Sequence, residues 1–335
     1  MKRFFRASVL VMICLATTSR GFCLEDPKDA GRKFFETSFS AAKTIVQTAL
    51  PIATGFDAPT VENALLAPQR FLFPSRDRNQ PDFSGVDCRL WIFGCGDMPA
   101  ARYSQAGDAP LFGKKISSGD IAQGELGDCY LMAALGAIAD QDPDFIRRMI
   151  QDNHDGTYTV TLYSRGPGFG PERLRVDDRF PMRSAGSPPA PLFAAYGKGG
   201  SVWVMIAEKA FAMSFGNGSY NAVVAGDPNE ALERITGKNR IYSGPACLTS
   251  VADLSDWGSK GYAVVVRSLP PALAIAWPIF RSAKLRPRHA YWVRSVNKDR
   301  GTVTLGDPEG EGWSVTVTER EFQQAFSFVS VNPIH

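Results

Sequence analysis

Apolar residues along this chain recur at helical spacing, at alternate positions or in unbroken runs, and the changes between these modes divide it. Residues 27–50 place Phe34, Phe35, Ala42, Ile45, Val46 and Ala49 on one helical stripe, with Asp29 as a cap and Pro51 as a stop. From 51 to about 110, Pro, Gly, Asp and Arg dominate without a period, which reads as an extension or linker. A Gly-punctuated polar stretch, Gln123-Gly124-Glu125-Leu126-Gly127-Asp128-Cys129-Tyr130, then runs into Leu131-Met132-Ala133-Ala134-Leu135. That apolar run predicts a buried helix beginning at or just after Asp128. Asp142-Pro143 opens a second helix, with Asp as cap and Pro in the first turn. Residues 157–163 alternate as a strand, and 173–176 pair with it. Residues 181–200 read as a loop and 202–215 as a strong helix. Asp227-Pro228-Asn229-Glu230 starts a short helix that ends at Gly237.

Beyond Gly237 the character changes. Residues 262–266, 290–296, 302–305 and 313–318 are β-rich runs bounded by turns. Thr318-Glu319-Arg320-Glu321 forms a capping box for a closing helix through Phe326. The fold class is therefore α+β: a mostly helical lobe followed by a mostly antiparallel β lobe, with the change near 237–245.

Length and charge sharpen this picture. A chain of 335 residues, 44% hydrophobic and 21% charged, can bury a core organised as two lobes. Lys2, Arg3 and Arg6 precede an apolar segment from 7 to 18, the pattern of a secretory signal. The expectation is a signal peptide over 1–24 and export, to a periplasm or the outside. Residues 25–105 would be an N-terminal extension or pro-region, with lobes over 106–237 and 238–335. No later segment approaches the ~18 uncharged apolar residues of a membrane span. The 37 Lys and Arg, less Lys2, Arg3, Arg6 and Arg20, leave 33 against 34 acidic residues. A near-neutral mature chain gives no reason to expect nucleic-acid binding.

Of six cysteines, Cys88, Cys95, Cys129 and Cys247 remain after the leader, too few for a disulfide scaffold. Cys88 and Cys95 are close enough in sequence for a local disulfide after export. With three histidines in the chain, a zinc site is not expected.

Cys129 carries the chemistry. A thiol at a helix start meets the unpaired first-turn N–H groups and the positive end of the helix dipole, and both favour thiolate. A nucleophilic cysteine needs a base, and the base needs a group to hold its tautomer. His335 is the last residue and His154 sits in a His-Asp-Gly turn, which leaves His289 at the head of Ala290-Tyr291-Trp292-Val293. A hairpin centred near Lys298 would bring residue 289 within about one position of Asp307.

Read together, these motifs resemble the protease core of calpains, over about residues 108–330. The Q-G-x-x-G-D-C-W motif appears at Gln123 to Tyr130, and the L-W-x-x-L-L-E-K-A-Y-A helix as Val202-Trp203-Val204-Met205-Ile206-Ala207-Glu208-Lys209-Ala210-Phe211-Ala212. Gly218-Ser219-Tyr220, Glu230-Ala231 through Thr236-Gly237, Val176-Asp177-Asp178-Arg179-Phe180-Pro181 and His289-Ala290-Tyr291 follow the family order. R-N-P-W-G is replaced by Gly306-Asp307-Pro308-Glu309-Gly310. The resemblance implies a papain-like two-lobed core and a cysteine endopeptidase acting on protein or peptide substrates through a thioester, in a chain expected to be monomeric. It implies Cys129 as nucleophile, His289 as base, Asp307 as the third member and Gln123 in the oxyanion hole. Alternatives on this sequence are a glutamine-directed acyl transferase or deamidase of the same fold, and a non-catalytic binding scaffold.

The departures from the family pattern bear on cofactors. Asp307 stands for Asn, Tyr130 for Trp and Phe211 for Tyr. Asn221 stands for an acidic calcium ligand, and an acidic, Trp-rich loop shrinks to residues 309–313. No cofactor is expected, and calcium, which the family implies, is not expected to be required.

Overall fold

The apolar run after Asp128 does become a helix, and its burial organises the molecule. In this computed structural model residues 80–83, 99–164, 170–186, 189–282, 285–309 and 314–335 are described. The expected leader at 1–24, the helix at 27–50 and the Cys88–Cys95 pair lie outside them.

Strand β1 (Ala101–Gln105) pairs antiparallel with β5 (Arg179–Arg183), with Tyr103 opposite Pro181. Thus β1, before the expected lobe start at 106, belongs to the packed core. The loop expected from 181 begins instead inside β5. Proline is tolerated there because the sheet is a two-stranded ribbon, where a missing N–H breaks no central ladder. Helix α1 (Cys129–Gln141) is buried from Cys129 to Ala139. Its Ala, Leu and Met favour the helix, and Pro143 disfavours its continuation through Asp142. Helix α2 (Pro143–Met149) follows, where the Asp142 carboxylate accepts from Asp144 N at 3.1 Å. Strands β2 (Ile150–Asp152), β3 (Thr157–Tyr163) and β4 (Pro171–Asp177) form an antiparallel sheet. Helices α3 (Trp203–Ser214) and α4 (Pro228–Thr236) complete this half. The Asp227 carboxylate caps α4, and Gly237, with φ of 69°, ends it in the left-handed region.

The second half is a six-stranded antiparallel sheet. Its strands are β6 (Tyr242–Gly244), β7 (Ala263–Ser268), β8 (Ala290–Asn297), β9 (Thr302–Gly306), β10 (Ser314–Thr318) and β11 (Phe326–Asn332), in the order β10-β9-β8-β7-β11-β6. Helix α5 (Val251–Ser259), with a Ser250 capping box, and the short α6 (Pro271–Ala274) and α7 (Pro278–Arg281) lie between these strands in sequence. Helix α8 (Glu319–Ala325) is the closing helix, but the chain then turns directly into β11, a central strand. The α+β reading holds: a helical region precedes the large antiparallel sheet.

Alternation along the sheet divides two cores. Ala263, Val265, Ala290 and Trp292 point toward α1, whereas Val264, Val266, Tyr291 and Val293 point to the opposite face, where Leu254 of α5 and Phe322 of α8 cover them. Both faces are buried, which is why β7 and β8 read as unbroken apolar runs. The indole of Trp292 sits between two glycines. A Cβ on Gly136 of α1 would lie 2.9 Å from that ring, and one on Gly306 of β9 would lie 2.1 Å from it. Trp292 Nε1 donates to Asp140 Oδ2 at 2.8 Å, and Arg294 Nε lies 3.4 Å from the same oxygen. A buried tryptophan of this kind contributes on the order of 3–5 kcal/mol. The contact fixes α1 against β8, and with it residue 129 against residue 289.

Candidate active site

Cys129 is the first residue of α1 and is 8% exposed. As the first helical residue its N–H has no partner within the helix. The loop before it is held in two places. Gln123 N donates to Pro308 O at 2.9 Å, tying this loop to the turn that carries Asp307. Glu125 N donates to Leu192 O at 3.0 Å, and Ala195 N to Ala122 O at 2.8 Å. Gly124 lies where the strands of chain nearly touch: a Cβ there would be 2.1 Å from Phe193 O. The Gln123 side chain folds back on its loop, Nε2 donating to Leu126 O at 2.6 Å, while Oε1 is buried without a partner.

His289 lies just before β8 and is 1% exposed. Its N–H donates to Ser268 Oγ at 2.9 Å and its carbonyl accepts from Ser268 N at 2.9 Å. Arg288, directly before it, has φ of 54°, a left-handed conformation costing a non-glycine residue roughly 1–3 kcal/mol. The His289 ring meets Tyr291 edge-on at 4.9 Å. Its Nε2 is 2.9 Å from Asp307 Oδ1, a buried contact.

A β-bulge makes that contact possible. From the turn up to Ser295, β8 and β9 pair in one register, with Val296 opposite Val303 and Ser295 opposite Thr304. Continued unbroken, it would set Asp307 opposite Trp292, on the sheet face away from His289. The register shifts between Val293 and Ser295, and Gly306 comes to lie opposite Trp292. Asp307, one residue on, is carried to the face of Tyr291 and hence of His289. Residues 289 and 307 are therefore diagonal neighbours, not direct partners as an unbulged hairpin centred near Lys298 would make them.

Asp307 Oδ1 also accepts from Glu309 N at 3.0 Å, and Arg286 Nε lies 3.9 Å from Asp307 Oδ2. Glu309 forms an ion pair with Arg286, and its Oε1 is 4.0 Å from His289 Nδ1. With Nε2 turned to Asp307, Nδ1 is the ring nitrogen left for Cys129. It is buried and meets no acceptor in full hydrogen-bond geometry, although Cys129 is near enough for its charge to act on the ring. Burial alone would lower the His289 pKa. The Cys129 charge and the Asp307 hydrogen bond outweigh it and raise the pKa to about 9. At neutral pH the ring is imidazolium, the partner a thiolate requires.

A second cluster lies directly behind the nucleophile. Asp128 and Glu208 are both buried, on the loop and on α3. Glu208 accepts from Ala194 N at 3.1 and 3.3 Å. Burial raises the Asp128 pKa to about 7. Burial, and then the Asp128 charge, raise Glu208 well above the carboxylate range. Both Asp128 carboxylate oxygens are buried without a hydrogen-bond partner, so the two acids act on one another through charge and burial, while Glu208 ties α3 to residue 194. The adjacent Lys209 is buried the other way. Its Nζ donates to Arg179 O at 2.7 Å and pairs with Asp177, which gives the 176–181 motif its role. No motif spacing joins Asp128 to Glu208. The signal in the sequence is a Glu-Lys pair inside an otherwise apolar helix, since buried charges demand partners.

Among the described residues no group of three His, Cys, Asp or Glu side chains is placed to hold a metal ion. Asn221, in place of an acid, is buried with Oδ1 unpartnered. Glu309 is committed to Arg286.

Residues 101–305 match the family described as calpain family cysteine protease. The chain is 35% identical over 130 residues to the calpain-type cysteine protease DEK1 of Zea mays, covering 38% of this chain and 6% of that protein. It is 32% identical over 124 residues to the calpain-2 catalytic subunit of Gallus gallus, covering 35% of this chain and 16% of that one. Against calpain-8 of Homo sapiens it is 30% identical over 218 residues, covering 58% of this chain and 28% of that one. The chain thus spans a small part of the length of these relatives.

Proposed function

The chain belongs to the calpain family of cysteine proteases, and from that premise we propose that it is an endopeptidase working through Cys129, His289 and Asp307. The Cys129 thiolate attacks the peptide carbonyl. The oxyanion is met by the Cys129 backbone N–H and by the Gln123 Nε2 hydrogen not given to Leu126; one such donor is typically worth about 3–4 kcal/mol of barrier. His289 Nδ1 delivers a proton to the leaving amine, and a thioester remains on Cys129. His289 then takes a proton from water, which attacks the thioester and releases the acid. Asp307 holds Nε2 and stabilises the imidazolium in both halves. What supports this reading most is the buried 2.9 Å contact between His289 and Asp307, on a ring that Cys129 is near enough to act on.

We extend the proposal to calcium, which this activity does not require. The carboxylates near His289 are already engaged, Asp307 with the ring and Glu309 with Arg286. The test is cleavage of a casein-type substrate by wild type and Cys129→Ala, with and without a chelator, with products read by mass spectrometry. Peptide-bond scission by wild type in both conditions and none by Cys129→Ala is expected. Ammonia release or crosslinking without scission would point to acyl transfer. Loss of activity with chelator and rescue by calcium would overturn the calcium claim alone.

A further inference from the structure

The connection from β7 to β8 carries a feature the proposed chemistry does not use. Residues 269–280 read Leu-Pro-Pro-Ala-Leu-Ala-Ile-Ala-Trp-Pro-Ile-Phe, without a polar side chain. They form α6, a turn and α7. The base of this finger is anchored: Ala274 and Leu285 are each 2% exposed, and Ile279 and Phe280 pack against the core beneath the sheet. Its tip is not. Ile275 is 71% exposed, and Ala276 beside it is exposed as well. Such a degree of exposure for a large aliphatic residue means a projecting tip, not a wall of a groove.

The stretch of sequence that carries the finger has charge of one sign. From Trp257 to Lys298 there is no Asp or Glu, while Lys260, Arg267, Arg281, Lys284, Arg286, Arg288, Arg294 and Lys298 all fall in that span. Arg267, Arg281 and Arg288 are exposed. The Arg281 guanidinium donates to Ile275 O at 3.1 Å, which holds a cation beside the apolar tip. Arg288 N donates to Leu269 O at 2.8 Å, closing the finger at its base immediately before His289.

We propose that this finger docks the protein on an anionic lipid surface, Ile275 and its apolar neighbours entering the headgroup layer while Arg267, Arg281 and Arg288 meet lipid phosphates and carboxylates. A projecting apolar tip with Trp277 behind it and the exposed Arg267, Arg281 and Arg288 on the same connection and its strand end complements an anionic bilayer in shape and charge. A protein-docking face would instead offer a flat or concave core within a rim of mixed charge. No helix among the described residues is long and apolar enough to cross a membrane. The finger grows from the strand ends that carry His289, so docking brings the candidate cleft close to the lipid surface.

Co-sedimentation of the full chain with vesicles tests this, using phosphatidylcholine alone and phosphatidylcholine with phosphatidylserine. Wild type is expected to bind the mixed vesicles, and less as salt rises. Ile275→Asp should weaken that partition by about ten-fold or more, since an exposed apolar anchor is replaced by a charge repelled by the surface. The pair Arg267→Glu with Arg281→Glu should weaken it at least as much and remove its salt dependence. All three proteins keep residues 1–24, so any contribution of that apolar segment cancels. Far-UV circular dichroism and melting of the variants should match wild type, because Ile275 and both arginines are exposed. Equal binding by wild type and Ile275→Asp, equal binding to both vesicles, or no binding to either would overturn the proposal, the last in favour of a protein occupant.

Discussion

Replacing Asp307 by asparagine keeps the shape of the side chain beside His289 and removes its charge. His289 moves from its ordinary value of 6.5 to about 9, despite burial. At 1.36 kcal/mol per pH unit this favours imidazolium by roughly 3 kcal/mol. Cys129 supplies the leading upward contribution and Asp307 the next. A hydrogen bond to an ionised group exceeds a neutral one by about 1–1.5 kcal/mol, so Asp307→Asn should lower the His289 pKa by about one unit. The sign follows from the protonation states. In the proposed mechanism a thiolate works beside an imidazolium, so activity should fail as pH rises through the His289 pKa. The alkaline limb of kcat/KM on a fluorogenic peptide, near pH 9 in wild type, should fall to about 8 in the variant. The pH dependence of Cys129 alkylation gives the same reading without turnover. The raised pKa also stabilises the fold, fully below 6.5 and progressively less as pH rises to about 9, and the variant should lose part of that slope. An alkaline limb that stays in place, or moves up, would refute the role given to Asp307.

Two further substitutions probe the frame of the site. Gly124→Ala would set a Cβ 2.1 Å from Phe193 O and 2.7 Å from Leu192 O, backbone atoms that cannot turn aside. Relief breaks the hydrogen bonds joining the loop to residues 192–195, so a loss of about 1–3 kcal/mol and a lower Tm are expected; an unchanged melt would show that the loop has slack. Glu208→Gln tests the coupling of the two buried acids. Asp128 and Glu208 hold protons more tightly folded than unfolded, so they subtract stability as pH rises through about 7. Glutamine can donate to Asp128 and still accept from Ala194 N. Wild type loses this stability between about pH 4 and 7, so the variant should gain Tm over it at pH 8 and less at pH 5, and parallel Tm–pH curves would argue that the two acids do not act on one another.

Much of the fold was legible because local signals agreed with tertiary demands. Asp142-Pro143 and Asp227-Pro228 mark helix starts that the structure keeps, and the alternation at 157–163 is a strand with the same ends. Strand β11 was not legible. It leaves α8 with no Gly, Pro or Asn between them, and only its partners β7 and β6 decide its extended state. The candidate site divides in the same way. Cys129 and His289 announce themselves by residue type and position. The contact of His289 with Asp307 depends on one extra residue at Arg294, and no turn signal announces a bulge in the middle of β8. The Asp128–Glu208 pair joins residues far apart in sequence through burial, which motif spacing does not encode.

The two-glycine seat of Trp292 has a consequence for regulation. Cys129 stands on α1 and His289 at the head of β8, and these two elements meet across the indole of Trp292. Drawing them apart would uncover that ring, break its bond to Asp140 and empty the seat between Gly136 and Gly306. Such a movement has the energy scale of unfolding rather than of a hinge. Control that separated Cys129 from His289 would carry that cost, whereas covering the cleft or bringing substrate to it would not.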